Sequence, residues 1–177
     1  MKKVILFLFI ILLFLQFANA DSPVKKVYVT SNINPHPPVI DGKLDDPVWA
    51  KVPWAGDFIQ RDPYEGKEPS QATSFKILYD DTSIYIAIRA DDNEPEKIER
   101  RMSRRDDLEG DWVEVHLDSY FDHRTAFCFM VNAVGVKGDV VISNDGNDSD
   151  DTWDPIWYVK TDTDEQGWTA EMRIPLS

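Results

Sequence analysis

One short segment carries side chains that together could hold a sugar. Residues 111–118 read DWVEVHLD, and alternation of aliphatic and polar residues is typical of a strand with one buried face. Trp112 and Glu114 are therefore expected on the same outward face, and neighbouring predicted strands add Arg89 and Asn132. An aromatic ring can stack on a pyranose, and planar polar side chains can hydrogen-bond adjacent hydroxyls.

A second segment, from Asn144 to Asp154, is dense in the hard oxygen donors that calcium prefers. It lacks the glycine found at the sixth position of an EF-hand loop, so it is not that motif. The residues equally fit a solvated acidic hairpin loop, and both interpretations stay open. If the segment binds calcium, its ligands are expected among four side chains: Asp145, Asn147, Asp150 and Asp151.

No catalytic residue is predicted. Glycoside hydrolysis needs two carboxylates at a set separation across a cleft, and nothing in the sequence fixes such a pair. The sequence contains no phosphate-binding glycine loop, nucleophile elbow or Cys-x-x-Cys motif. The single cysteine, Cys128, lies in a strand-like aromatic run and is expected to be a buried thiol. A net charge of −13 argues against nucleic acid and anionic membrane as partners.

The first twenty residues have the pattern of a signal peptide. Lys2 and Lys3 precede an apolar run from Val4 to Phe17, and Ala18-Asn19-Ala20 is a small-x-small cleavage site. The run is shorter than the ~20 residues that span a bilayer, which favours cleavage over an uncleaved membrane anchor. We therefore expect an exported domain of residues 21–177, located in the periplasm, at the outer-membrane surface or outside the cell, without a transmembrane span.

The remaining pattern predicts an all-β fold, an antiparallel β-sandwich of jelly-roll type with one or two short helices. Val27 and Val29 suggest an entry strand within residues 21–30. The helices are expected at Pro47–Lys51 and Pro95–Arg105. Seven further strands follow from period-two alternation between turn residues: Ser74–Asp80, Ile84–Asp91, Trp112–Ser119, Thr125–Val134, Asp139–Ser143, Tyr158–Thr163 and Trp168–Ile174.

Four pieces of the chain together resemble family 9 carbohydrate-binding modules. The first is Pro37–Trp49, which contains Ile40-Asp41-Gly42, an acidic pair and a tryptophan. The others are Leu78–Asp81 with the strand after it, Asp111–Asp118, and Trp168–Pro175. The resemblance implies the sandwich fold and binding of a glycan or polysaccharide without catalysis. It also implies that the domain is C-terminally incomplete and stands at the N-terminus of a larger outer-surface protein, one with an outer-membrane partner region or an activity related to glycoside hydrolases.

By that resemblance, Glu114 is the ligand-binding carboxylate, and Asp111 and Asn132 match further family positions. Leu108 stands where the family has a stacking tryptophan, and Met130 where it has an arginine. Trp112, together with Arg89 or Arg105, is suggested as a substitute by the face on which these residues are expected. The departures keep an alternative open: a structural or assembly domain of an outer-membrane protein that has lost its sugar site. A haem-binding domain with Met130 or a histidine as axial ligand is a third interpretation.

Overall fold

The structure is a computed structural model that describes residues 26–176. The predicted signal peptide, residues 1–20, and its cleavage site lie outside the described residues. Residues 26–176 form nine strands and three short 3-10 helices, which lie at Pro47–Lys51, Pro95–Lys97 and Asn144–Gly146. The strands are Ser31–Asn32 (β1), Thr73–Tyr79 (β2), Ser83–Asp91 (β3), Trp112–Leu117 (β4), Ala126–Asn132 (β5), Lys137–Ser143 (β6), Asp148–Asp150 (β7), Tyr158–Asp164 (β8) and Gly167–Pro175 (β9).

The strands form two sheets, which confirms the predicted all-β sandwich. One sheet has five strands in the order β1-β2-β3-β9-β8, and the other has four in the order β4-β5-β6-β7. Apart from the short parallel pairing of β1 with β2, all strand pairs are antiparallel. Both β3 and β9 lie inside their sheet, whereas β4 is at the edge of the other.

The main core fills the space between the two sheets. Ile86 and Ile88 enter it from β3, and Phe129 and Val131 enter it from β5, as the alternation predicts. From β4, Val113, Val115 and Leu117 pack against the same cluster. The side chains that alternate with these residues in β4 therefore point away from the core. The candidate site lies on this outward face of β4.

A second core lies on the other side of the five-stranded sheet. Residues 28–52 cross that face, and Ile33, Trp49 and Val52 are buried there with Tyr85 and Ala87. Trp49 is thus buried, as its position in the sequence predicts. The sheet that contains β3 is covered on both faces, so few of its side chains are available to a ligand.

Two local predictions are wrong. The segment Pro95–Arg105 is helical only at Pro95–Lys97, because its later backbone groups bond to other parts of the chain instead of to each other. The amide of Glu99 donates to Asp111, and the carbonyl of Arg101 accepts from Asn132. The entry strand is also absent from residues 26–30, where Val27 and Val29 are exposed; pairing starts at Ser31. Within residues 26–176, no helix is long and apolar enough to cross a membrane.

Candidate functional site

The outward face of β4 presents an aromatic ring beside a carboxylate. Trp112 is 45% exposed, and the side chains of Glu114 and His116 are 41% and 42% exposed. The three side chains share this face because they alternate with the core residues of the same strand. An indole and a carboxylate, both half in solvent, can offer a stacking surface and a hydrogen-bond acceptor to the same ligand.

Glu114 has one close polar neighbour. Its Oε1 lies 3.1 Å from His116 Nε2, within ion-pair distance, and neither carboxylate oxygen forms a hydrogen bond with a described residue. The other ring nitrogen of the histidine, Nδ1, lies 3.3 Å from the sulfur of Cys128 on β5. Burial raises the pKa of the Cys128 thiol to about 11, and the nearby charge of Glu114 acts in the same direction. The buried thiol predicted from the sequence is confirmed, and the Glu114 side chain is close to half-exposed.

The surface beside Glu114 is apolar, because Met130 and Leu108 stand where the family resemblance leads us to expect an arginine and a tryptophan. Met130 is the cross-strand partner of Glu114 in the β4–β5 pairing. Next to it, Leu108 packs over Gly138 so closely that a β-carbon on this glycine would lie 2.4 Å from Leu108 Cδ1 and 3.1 Å from Met130 Cε. Gly138 therefore permits the loop before β4 to lie on the sheet.

Asn132 is fully buried beneath that loop and has a full set of partners. Its Nδ2 donates to the carbonyls of Arg101 and Glu109 at 2.8 and 3.2 Å, and its Oδ1 accepts from the amides of Val134 and Val136 at 3.2 and 2.9 Å. An asparagine side chain has two donor and two acceptor positions. All four are used, so Asn132 ties the loop and the β5–β6 turn to the sheet.

Asp111 stands directly before Trp112 and fixes the start of β4. Its Oδ2 accepts from the amide of Glu99 at 2.8 Å, its own amide donates to the Glu99 carbonyl, and its carbonyl accepts from Ala133. The residue itself is exposed. Its side chain is directed to the segment around Glu99, so its observed part is to fix the loop that leads into β4.

Arg89 lies in the other sheet and is not brought together with Trp112. Two of its nitrogens bind both oxygens of Asp164 at 2.6 and 2.7 Å, and its Nε binds Asp91 at 2.9 Å. These bonds raise the pKa of Arg89 and lower the pKa of Asp164 to about 2. The pair lines an open groove of about 480 Å³ beneath residues 42–45, where Trp54 is also exposed.

The acidic segment forms a hairpin in which β7 pairs with β6. Asp145 Oδ1 accepts from Arg124 Nε at 3.0 Å, Asn147 Nδ2 donates to the carbonyl of Asn144, and Asp150 Oδ1 accepts from both Thr152 donors. Asp151 follows β7 on the exposed surface. Among residues 26–176, no group of three or more histidine, cysteine, aspartate or glutamate side chains is arranged to hold a metal ion. The calcium site stays a prediction.

The comparisons with known proteins agree with this architecture. The family described as carbohydrate family 9 binding domain-like matches residues 40–177. The chain belongs to this family. No curated protein sequence matches it at a significant level.

Two solved structures of a family 9 carbohydrate binding module from Caldicellulosiruptor kristjanssonii are similar to this family 9 domain. The module in complex with glucose is 23% identical, with a TM-score of 0.56 over 84% of this chain and 69% of that one. The module in complex with cellotriose is 24% identical, with a TM-score of 0.57 over 86% of this chain and 68% of that one. At these identities the likeness shows a shared fold.

Sequence reasoning missed the residue that holds the N-terminal part of this family 9 domain in place. Glu171 of β9 is fully buried; its Oε2 accepts from the amides of Asp41 and Gly42 at 3.1 and 3.0 Å, and its Oε1 accepts from Trp49 Nε1 at 2.9 Å. Burial raises the pKa of Glu171, although the three donors oppose the shift. The signal was a single carboxylate in an otherwise buried strand, on the face opposite Ala170 and Met172. The glycine and the tryptophan of residues 40–49, Gly42 and Trp49, therefore have a common role, because both donate to the carboxylate of Glu171.

Proposed function

We propose that this family 9 domain binds a carbohydrate and does not act on it chemically. The observation that carries the proposal is the Trp112–Glu114 pair on the solvent face of β4, where both side chains are close to half-exposed. Family membership supports it, as do the glucose and cellotriose bound to the two similar modules. In this arrangement Trp112 stacks on a pyranose ring and Glu114 Oε2 accepts from its hydroxyls.

The supporting residues have distinct parts in the proposal. Asp111 would take part through its position directly before Trp112, because its bond to the Glu99 amide fixes the start of β4. Asn132 acts from below, because its four hydrogen bonds keep the loop before β4 on the sheet. Arg89 would contribute only to a separate contact in the groove beside Asp164, since it belongs to the other sheet.

The test is titration of cellotriose, or of the best binder on a glycan array, into wild type, Trp112→Ala and Glu114→Gln. Loss of a ring stack or of a charged hydrogen bond costs ~1–3 kcal/mol, so each variant is expected to bind roughly ten- to a hundredfold more weakly. Trp54→Ala is a matched control, because Trp54 is 44% exposed but lies on the other sheet's side of the molecule. Unchanged affinity in both folded variants would place the site elsewhere.

A structural or assembly role in a larger outer-membrane protein is the second candidate. It is favoured by the apolar contact of Leu108, Met130 and Gly138 beside Glu114, and by the saturation of Asn132. If the folded wild type binds no glycan on an array that includes longer oligosaccharides, this candidate replaces carbohydrate binding.

We further propose that the protein is exported after cleavage between Ala20 and Asp21. The basis is the charged, apolar and small-residue order of residues 1–20. Mass spectrometry of the exported product that found an intact Met1 terminus would exclude the cleavage.

Calcium binding by the β6–β7 hairpin is expected to raise the melting temperature. Asp145, Asn147, Asp150 and Asp151 supply carboxylate and amide oxygens within a seven-residue span. A ligand that binds only the native state at a hundredfold its dissociation constant stabilises it by ~2.7 kcal/mol. Thermal melts in chelator and in millimolar calcium measure the effect, with the double variant Asp150→Asn, Asp151→Asn as control. Identical melts of the wild type in the two buffers would remove the site.

A further inference from the structure

Glu114, His116 and Cys128 form a row of contacts across two paired strands. His116 and Cys128 are cross-strand partners in the β4–β5 register, and Glu114 lies two residues before His116 on the same outward face. The distances are 3.1 Å from Glu114 Oε1 to His116 Nε2 and 3.3 Å from His116 Nδ1 to Cys128 Sγ. The row runs from a fully buried sulfur to a half-exposed carboxylate, so its buried end is fixed by the sheet.

The chemistry of the row determines where its protons lie. A carboxylate oxygen repels a nitrogen lone pair, so we place the ring proton on the histidine nitrogen that lies 3.1 Å from Glu114. In the neutral ring the other nitrogen then has a lone pair, and it needs a donor. The group that faces it is the Cys128 thiol, which burial keeps protonated. The thiol therefore donates to Nδ1, and the Nε2 proton lies beside Glu114.

This order of protons has a consequence for the carboxylate. An exposed glutamate that is free to rotate loses side-chain entropy when it binds a ligand. The contact with His116 lies at Oε1 and limits that freedom beforehand, while the side chain as a whole stays 41% exposed. A rigid histidine, fixed at its far side by a buried residue, can hold the carboxylate more firmly than water can.

We infer that His116 is a positioning residue for Glu114 and that the Cys128 thiol selects the histidine tautomer that makes this possible. The inference rests on the proposed carbohydrate binding, because it assigns these two residues a part in the same site. Neither residue needs to touch the sugar.

Binding and spectroscopy test the inference together. For cellotriose, His116→Ala and Cys128→Ala are expected to bind about two- to tenfold more weakly than wild type, the range that corresponds to the ordering of one side chain. Cys128→Ser, which keeps a donor at the same place, is expected to bind like wild type. His123→Ala is the control, since His123 is exposed and lies outside the row. Thermal melts of each variant verify that it is folded.

The ¹⁵N chemical shifts of the His116 ring report which ring nitrogen carries the proton. A purely structural role of His116 and Cys128 would not require a particular tautomer. Wild type and Cys128→Ser are expected to show the Nε2–H tautomer, and Cys128→Ala a mixture of tautomers. An Nδ1–H tautomer in the wild type overturns the inference, and so does wild-type affinity in folded His116→Ala when Glu114→Gln is weakened. If the wild type binds no glycan, carbohydrate binding itself fails, and the positioning role fails with it. The expected tautomer together with the graded losses of affinity supports it.

Discussion

Replacement of Glu171 by alanine is expected to lower the free energy of unfolding by ~3–5 kcal/mol. The change removes the acceptor of three donors, the amides of Asp41 and Gly42 and the indole nitrogen of Trp49. Gly42 and Trp49 are buried, so their N–H groups cannot turn to water, and each unsatisfied donor costs ~1–3 kcal/mol. Urea unfolding followed by circular dichroism measures the loss.

Two further variants make this expectation specific. Glu171→Gln keeps one oxygen at the position that accepts from Asp41 and Gly42 and places its NH₂ toward the indole, so an intermediate loss of ~1–3 kcal/mol is expected. Glu165→Ala, an exposed glutamate in the turn between β8 and β9, is the control and should change stability by less than ~0.5 kcal/mol. If Glu171→Ala is as stable as this control, other contacts hold residues 28–52 on the five-stranded sheet.

The backbone geometry at Gly42 is a further reason why few substitutions are expected to be tolerated there. Its φ is +91°, a conformation that side chains with a β-carbon rarely adopt, and a β-carbon there would lie 2.7 Å from the carbonyl carbon of Thr161. The amide that reaches Glu171 can do so only because the backbone approaches β8 this closely. The motif in residues 40–49, which supports the family resemblance, therefore attaches this segment to the five-stranded sheet. It is not itself part of the candidate site.

Period-two alternation predicted the parts of the fold that depend on one strand at a time. It placed Ile86 and Ile88 of β3, and Phe129 and Val131 of β5, on the buried side. It also placed Trp112 and Glu114 together on the outward side. These predictions hold because the direction of a side chain in a strand follows from its position alone.

Alternation could not predict what covers an outward face or which strands become neighbours. Asn132 has the expected parity, but the loop before β4 closes over it and uses its hydrogen bonds. Arg89 also has the expected parity, yet β3 pairs with β2 and β9, so it faces Asp164 in the other sheet. Both outcomes depend on contacts between residues more than twenty positions apart, which local sequence patterns do not encode.

Truncation of Phe129 to alanine is the second large effect expected, a loss of ~3–5 kcal/mol in the free energy of unfolding. Phe129 is 4% exposed at the centre of β5, and its ring meets the rings of Trp153 and Trp157 edge-on at centroid distances of 5.6 and 5.3 Å. These indoles come from the segment between β7 and β8, which the phenylalanine holds against the main core. Its removal forfeits both the apolar burial and the aromatic contacts, and it leaves a cavity that two large rings cannot readily fill.

Urea unfolding of Phe129→Ala, compared with Phe129→Leu and Met102→Ala, separates the cavity from general effects of substitution. Leucine fills most of the space and should lose less, while Met102 is 79% exposed and should change stability by under ~0.5 kcal/mol. Trp153 and Trp157 also report locally, because loss of their edge contacts should change tryptophan fluorescence before global unfolding. A Phe129→Ala variant as stable as Met102→Ala would mean that the two sheets do not meet at this ring.

Phe129 lies on the inner face of β5, and the outer face of the same strand carries Cys128 and Met130. Loss of the phenylalanine ring is expected to loosen the sheet that contains Glu114. Cellotriose binding is therefore expected to weaken as well.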